Sequence, residues 1–310
     1  MMIRYSIFVL LSMCLWLEGV WGQEGTFSMQ SFESGARRYH LIYAAEGAQP
    51  PRGLVVFLHG YGASNPLCYG GWIRAIVQEG YVVLFPQFQW GTFLPHTRKY
   101  LRRVEQNIDS ARVHLARLYP HMPEELCLVA HSIGGVIGAN LAQSGKYEIS
   151  GLMLVQPGHK WLKLGQAKDY QLLPETCRIL CITGNRDKTA GTRFARHIMR
   201  STPQINPSNK LWLHQYGDKY QDHKISATHV APVSIDRQLD SGNRNLIICG
   251  ALALGKTDEV DQYAYWRLTR KFLAACRQPG PAYLPPLSEW TWMGQWGERP
   301  IRHLEVRRPF

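Results

Sequence analysis

Six short runs dense in Val, Ile and Leu recur along the chain, at 53–58, 81–85, 126–130, 149–155, 178–183 and 210–214. Between them lie stretches with apolar residues at helical spacing. The stretch 98–118 carries Leu101, Val104, Ile108, Val113 and Leu115 beside a basic face, and 133–143 is small and apolar. A third, 258–275, carries Val260, Tyr263, Trp266, Leu268, Phe272 and Leu273. A strand that is apolar at every position is buried on both faces, and a helical connection returns the chain to begin a parallel neighbour. The expected class is therefore α/β, a mostly parallel central sheet with helices on both faces. No internal repeat and no Gly/Ser linker interrupts residues 23–310, so one domain is expected there. With 45% hydrophobic and 19% charged residues, the 310-residue chain can build a large core, which argues against a disordered or coiled-coil protein.

The first 22 residues have another character. Arg4 precedes an almost unbroken apolar run from Ile7 to Leu17, and Gly22 precedes the polar Gln23-Glu24-Gly25. This is the pattern of a secretory signal peptide cut near Gly22, in a run short for a membrane span. The expectation is a secreted or periplasmic protein whose mature chain has no transmembrane segment. Six cysteines then remain, Cys68, Cys127, Cys177, Cys181, Cys249 and Cys276. An even set in an oxidising compartment predicts one or more disulfides, with the pairing open. Cys177 and Cys181 lack the second pair and the His ligands of a zinc site. Residues 279–286 are Pro-rich and lead into Trp290, Trp292 and Trp296, which predicts a C-terminal extension, 279–310, packed on the domain with a terminal hairpin at 301–306. The net charge of +12 is dispersed along the sequence rather than gathered into a basic block. Without zinc-finger spacing, a basic arm or an RNA-binding aromatic pattern, nucleic acid is not an expected partner.

The chemistry concentrates at Leu128-Val129-Ala130-His131-Ser132-Ile133-Gly134-Gly135. A buried strand runs straight into a helix through a tight turn with Ser132 at its tip, the nucleophile-elbow arrangement G-x-S-x-G with Ala130 in the first Gly position. So sharp a turn brings strand and helix together, so the positions two before and two after the serine must lack bulk. A serine that merely caps a helix would need no such pattern. The Ile133 amide, first in the helix, is placed to meet a developing oxyanion. His59-Gly60-Tyr61-Gly62 follows the strand at 53–58, and Tyr61 is placed to supply a second oxyanion N–H.

A serine hydroxyl needs a base, and the base needs an orienting carboxylate, expected in the chain order Ser, acid, His. The strand at 178–183 leads into Gly184-Asn185-Arg186-Asp187, a turn at a strand's carboxyl end, which makes Asp187 the acid. Asp218 and Asp222 are weaker alternatives, and Asp169 sits in a less defined segment. Of twelve histidines, His223 and His229 both follow the strand at 210–214, and His229 stands in the compact Ala227-Thr228-His229-Val230-Ala231-Pro232. His131 is expected to fill the elbow and His59 to brace the oxyanion loop.

At these residues the chain resembles the α/β-hydrolase superfamily, in its secreted bacterial esterase and lipase-like branch, from about residue 50 to the C-terminus. The carriers are the His59-Gly60 loop, the Ala130–Gly135 elbow and Gly184-Asn185-Arg186-Asp187. Tyr216-Gly217-Asp218 running on to Thr228-His229-Val230-Ala231-Pro232 resembles the family's histidine loop. Asp261-Gln262-Tyr263-Ala264-Tyr265-Trp266-Arg267-Leu268 resembles the start of its last core helix, and Met293-Gly294-Gln295-Trp296 a terminal motif of the branch. The resemblance implies Ser132 as nucleophile, Asp187 as acid, His229 rather than His223 as base, and Tyr61 and Ile133 as oxyanion donors. It implies hydrolysis of a small-molecule or lipid ester through an acyl-enzyme, with no metal or organic cofactor. A lipase, an acyltransferase or a non-catalytic binding protein on the same scaffold are the alternatives. Two departures stand out: Ala130 for the usual Gly, and Thr228 where the branch often has Asp. Only some twenty residues separate the strands at 149–155 and 178–183, which leaves no room for a large cap domain.

Overall fold

The structure, a computed structural model, describes residues 27–44, 49–91 and 95–308, so the expected signal peptide lies outside the described residues. The chain enters through a hairpin, β1 (Phe27–Ser34) and β2 (Arg37–Ala44), turning at Gly35 with φ +58°. Then follow β3 (Leu54–Leu58), α1 (Gly70–Gln78), β4 (Val82–Pro86) and α2 (Thr97–Leu118). The next segment is β5 (Leu126–His131), α3 (Ile133–Gln143), β6 (Ile149–Val155), β7 (Arg178–Gly184) and α4 (Arg193–Arg200). After β8 (Lys210–Gln215) come a small hairpin, β9 (Asp218–Tyr220) with β10 (His223–Ile225), and α5 (Leu246–Leu254). The last core helix opens as a π-helical turn, Asp261–Trp266, and continues as α6 (Arg267–Cys276). The C-terminal part holds α7 (Ser288–Thr291), β11 (Gln295–Trp296), β12 (Arg299–Pro300) and β13 (Glu305–Val306).

Nine strands form one sheet in the order β1-β2-β4-β3-β5-β6-β7-β8-β13. The six strands from β4 to β8 run parallel, while β1, β2 and β13 make antiparallel edges. Period-two alternation explains why the central strands are apolar throughout. Leu54, Val56 and Leu58 of β3 face the core under α2, α3 and α4, with Val104, Ile108, Val136, Phe194 and Ile198. Val55 and Phe57 face the opposite core, with Trp72 and Ile76 of α1 and Leu268 and Phe272 of α6. The expected α/β class and helices on both faces are observed. No helix or strand forms between β6 and β7. No described helix is long and apolar enough to cross a membrane.

Two expectations need correction. The terminal hairpin is β11 with β12, and only Glu305–Val306 of the 301–306 segment is strand, pairing with Leu213 and His214 on the β8 edge. Ile301 and Leu304 are instead buried in the core under α1 and α6, which pins that stretch against the domain before it reaches the sheet. The expected disulfides are also not formed: the six cysteines are free thiols, Cys249 exposed and the others buried. Cys177 lies just before β7 and Cys181 within it, and an extended spacing of four residues, about 13 Å, is too long for a bridge. Cys127 and Cys276 do meet, as hydrogen-bonded thiols at the foot of the sheet.

Candidate active site

Ser132 sits between β5 and α3 with φ 56° and ψ −124°, a region a side-chain-bearing residue adopts only where its surroundings impose it. The imposing contacts are all backbone. The Ser132 amide donates to the Val155 carbonyl at 3.2 Å, and its own carbonyl accepts from Gly135 at 3.0 Å and Gly158 at 2.8 Å. A Cβ on Gly134 would come 2.2 Å from the Leu58 carbonyl oxygen and 2.7 Å from that of His59. The small residue after the serine is therefore what lets the first turn of α3 lie against the loop that carries Tyr61. Ala130, the departure from the elbow pattern, is fully buried and fits.

The structure brings His229 and Asp187 to this serine. His229 Nε2 lies 2.9 Å from Ser132 Oγ, and its Nδ1 lies 3.0 Å from Asp187 Oδ2. Asp187 follows β7, its side chain fully buried, and its other oxygen accepts the Thr189 and Ala190 amides at 2.9 and 2.8 Å. Burial alone would raise its pKa. The hydrogen bond and charge of the His229 ring, with the two amides, outweigh it and hold the carboxyl below its usual range. An ionised carboxylate only accepts, so the proton on the ring belongs to Nδ1, and the Nε2 lone pair faces the Ser132 hydroxyl.

Three close approaches hold the His229 turn in place. Gly184 admits the Ala227 carbonyl, which a Cβ there would meet at 2.3 Å. The Arg186 amide donates to that same carbonyl at 3.2 Å. Gln156, at φ 46° just beyond β6, donates from its side chain to the Thr228 carbonyl at 2.7 Å. Thr228, where an Asp was the expected family choice, thus contributes its backbone.

The remaining candidates lie elsewhere. Asp218 pairs with Arg299 at 2.8 Å, and His223 stacks on Trp296 with Glu259 3.7 Å away. Asp222 is exposed on the β9–β10 turn and Asp169 is half-buried in the β6–β7 connection. Ile133 opens α3 directly after the serine, and Tyr61 lies in the loop beyond β3. That loop is fastened on both sides: the Gly62 amide donates to Gln89 Oε1 at 2.8 Å, and the Gly62 carbonyl accepts from Asn245 at 2.8 Å.

Sequence reasoning did not find Tyr69. Its hydroxyl accepts from the Gly60 amide at 2.9 Å and lies 2.9 Å from His131 Nδ1, while His131 Nε2 lies 3.0 Å from the His229 carbonyl. A carbonyl can only accept, so Nε2 carries the ring proton, Nδ1 is the acceptor, and Tyr69 O–H is its donor. Burial, then the neighbouring His229, pulls the His131 pKa down to about 3, which keeps this ring neutral. One line of hydrogen bonds thus joins the Tyr61 loop, the elbow and the His229 turn. Nor did the sequence reading single out α5, a nine-residue apolar helix of which only Ile248 is buried. Asn245 caps it, and Ile247 packs against Gly62. His59 braces the loop as expected, stacked on Phe88 with ring centroids 3.9 Å apart.

A cleft of about 590 Å³ opens beside Asp187, bordered by Lys160, Asn185, Thr192, Arg193, His214 and Tyr216. Among the described residues no group of His, Cys, Asp and Glu is arranged to hold a metal ion. No curated protein matches the chain. Residues 49–200 match the family described as serine aminopeptidase, S33, a span running from just before β3 through the elbow and the Asp187 turn to the end of α4. The parallel sheet, its helices on both faces and this match make the chain a member of the α/β-hydrolase superfamily.

Proposed function

We propose that this protein is an exported serine hydrolase that cleaves carboxylic esters through Ser132, His229 and Asp187. The observation that carries the reading is the hydrogen-bonded line from Ser132 Oγ to His229 to Asp187, at 2.9 and 3.0 Å, on an elbow whose serine has a positive φ. His229 Nε2 takes the hydroxyl proton as Oγ attacks the ester carbonyl. The Ile133 and Tyr61 amides meet the oxyanion, and the imidazolium returns its proton to the departing alcohol. Water, activated by the same ring, then frees the acid from the acyl-enzyme. Activity falls on acidification because a protonated ring cannot accept from Ser132.

A peptidase is the second reading, favoured by the description of the matched family. An aminopeptidase must hold a substrate ammonium, and the cleft beside Asp187 carries Lys160 and Arg193 instead, which favours an uncharged or anionic substrate. The apolar α5 beside the Tyr61 loop favours an acyl chain. Export rests on the N-terminal pattern of Arg4, the 7–17 run and Gly22.

The test is labelling by a fluorophosphonate probe together with turnover of p-nitrophenyl esters of increasing acyl length and an amide analogue. Ser132→Ala should abolish labelling and lower ester turnover by roughly four orders of magnitude or more, with an unchanged circular dichroism spectrum. Retained turnover in that variant removes Ser132 from the mechanism, and preferred cleavage of the amide selects the peptidase.

A further inference from the structure

We propose that the turn at Trp161–Leu162 and the cationic face of α4 dock this protein onto an anionic lipid surface. Trp161 is 72% exposed and Leu162 56%, on a turn that the local contacts hold rigidly outward. His159 Nδ1 accepts both the Trp161 and the Leu162 amides at 3.1 Å, the Lys160 amide donates to the Thr189 carbonyl at 2.7 Å, and Arg193 donates to the Trp161 carbonyl at 2.9 Å. An aromatic and a leucine fixed in water at the tip of a braced turn are costly to leave there, and suited to the boundary between headgroup and acyl chain.

The charge around them says which surface they meet. Between residues 159 and 200 the sequence has nine Lys and Arg against three Asp and Glu, half of the chain's net +12. The fold gathers much of this on one face. Helix α4 buries Phe194, Ala195, Ile198 and Met199 and exposes Arg193, Arg196 and Arg200. A groove of about 530 Å³ runs between that face and Lys163 and Lys168, and it shares Arg193 and Arg196 with the cleft beside Asp187. Lys160 stands 4.9 Å over the Trp161 ring. Cations ringing an exposed aromatic–aliphatic pair complement a bilayer whose headgroups are anionic: the charges draw the surface in and the apolar pair enters it. A polyanion without acyl chains would use the charges and leave Trp161 and Leu162 idle.

The patch is also continuous with the candidate active site. Gly158, three residues before Trp161, donates to the Ser132 carbonyl, and Lys160 to the turn that follows Asp187. Docking through this turn holds the cleft at the lipid boundary. Binding itself does not depend on the hydrolase reading, and loss of either leaves the other measurable.

The experiment is co-sedimentation of the mature chain with vesicles of phosphatidylcholine alone or mixed with phosphatidylglycerol, with soluble p-nitrophenyl acetate turnover measured alongside. Binding to the mixed vesicles at low ionic strength, weakened at about 0.5 M salt, is expected. Reversing Lys163→Glu and Arg196→Glu together should lower the partition coefficient by roughly 25-fold or more, at about fivefold per charge near the surface. Trp161→Ser with Leu162→Ser should lower it by roughly tenfold or more. Both double variants should keep turnover of the soluble ester. Failure to bind mixed vesicles at low salt overturns the proposal, as does binding that neither double variant weakens. Binding that survives loss of Trp161 and Leu162, falls on charge reversal and is competed by dextran sulfate identifies a polyanion site and overturns the lipid assignment.

Discussion

Tyr69 shows how far a site is built from residues that never touch a substrate. Its hydroxyl stands between the Gly60 amide and His131, and His131 in turn holds the His229 carbonyl. Tyr69→Phe keeps the ring in its buried place and removes one oxygen, leaving a buried donor and a buried acceptor without partners. The expected cost is about 1–3 kcal/mol in stability. Because the lost bonds fasten both the Tyr61 loop and the His229 turn, kcat for a soluble ester should fall by roughly tenfold while KM holds, measured by steady-state kinetics. An unchanged kcat would show that the two loops are held adequately without this line. Ser132, Asp187 and His229 were legible in the sequence because strand-end turns and the spacing of small residues mark them. Tyr69 was not, since a tyrosine in Pro66-Leu67-Cys68-Tyr69 carries no local sign of the histidine 62 residues away. Gln156 was hidden for the same reason, its role arising from a positive φ and a partner on the His229 turn.

Among the elements, the central strands and α2 and α3 were readable within a residue or two, because full burial on both faces of a sheet writes itself as continuous apolar runs. Helix α1 was not. It begins with Gly70 and Gly71, poor helix formers. Packing requires both, since a Cβ on Gly70 would come 2.2 Å from Asp236 Cβ and one on Gly71 2.5 Å from the Trp266 ring. The edge hairpin of β1 and β2 was also missed, its first strand being largely polar and half-exposed. The start of the last core helix carries a consequence for pH. Asp261 is fully buried there, Oδ2 accepting the Asp258 amide and Oδ1 without a partner. Burial, with the Asp258 charge, raises its pKa from 3.8 to about 8, and burial raises that of Asp258 to about 6. Between the ordinary carboxylate range and these values the folded protein binds protons that the unfolded chain releases, so stability falls as pH rises through that window. Melting temperature should therefore drop from pH 5 to pH 8. Asp261→Asn should flatten the upper part of that decline, a difference on the order of a few kcal/mol at pH 8. A parallel decline in the variant would assign the pH dependence to other groups.

At the scale of the whole molecule, the C-terminal segment is part of the core rather than an appendage to it. Tyr283, Trp290, Met293, Trp296, Ile301 and Leu304 all belong to the apolar cluster on the α1 and α6 face of the sheet. Arg178, at the start of β7, donates to the carbonyls of Gln278 and Gly280, and the Tyr283 amide donates to Ser208 at 2.8 Å. Arg267 reaches the carbonyls of Glu289 and Trp292, so α6 and α7 are bound together. Finally β13 closes the β8 edge, where its absence would leave a row of unpaired backbone groups on a parallel sheet. Each large apolar side chain withdrawn from water contributes about 1.5–3 kcal/mol. Six of them together match the whole net stability of an ordinary domain, about 5–15 kcal/mol. Ending the chain after Gln278 should therefore give protein that is insoluble or lacks a cooperative melt, although every candidate active-site residue is retained. Ending it after Leu304 removes only β13 and the exposed residues beyond it, and should leave a folded enzyme with a lower melting temperature and a greater tendency to associate through β8. Thermal melts and size-exclusion chromatography of the two truncations separate these outcomes. A cooperative melt at the full-length temperature from the shorter chain would show that the tryptophan segment rests on the hydrolase fold without supporting it.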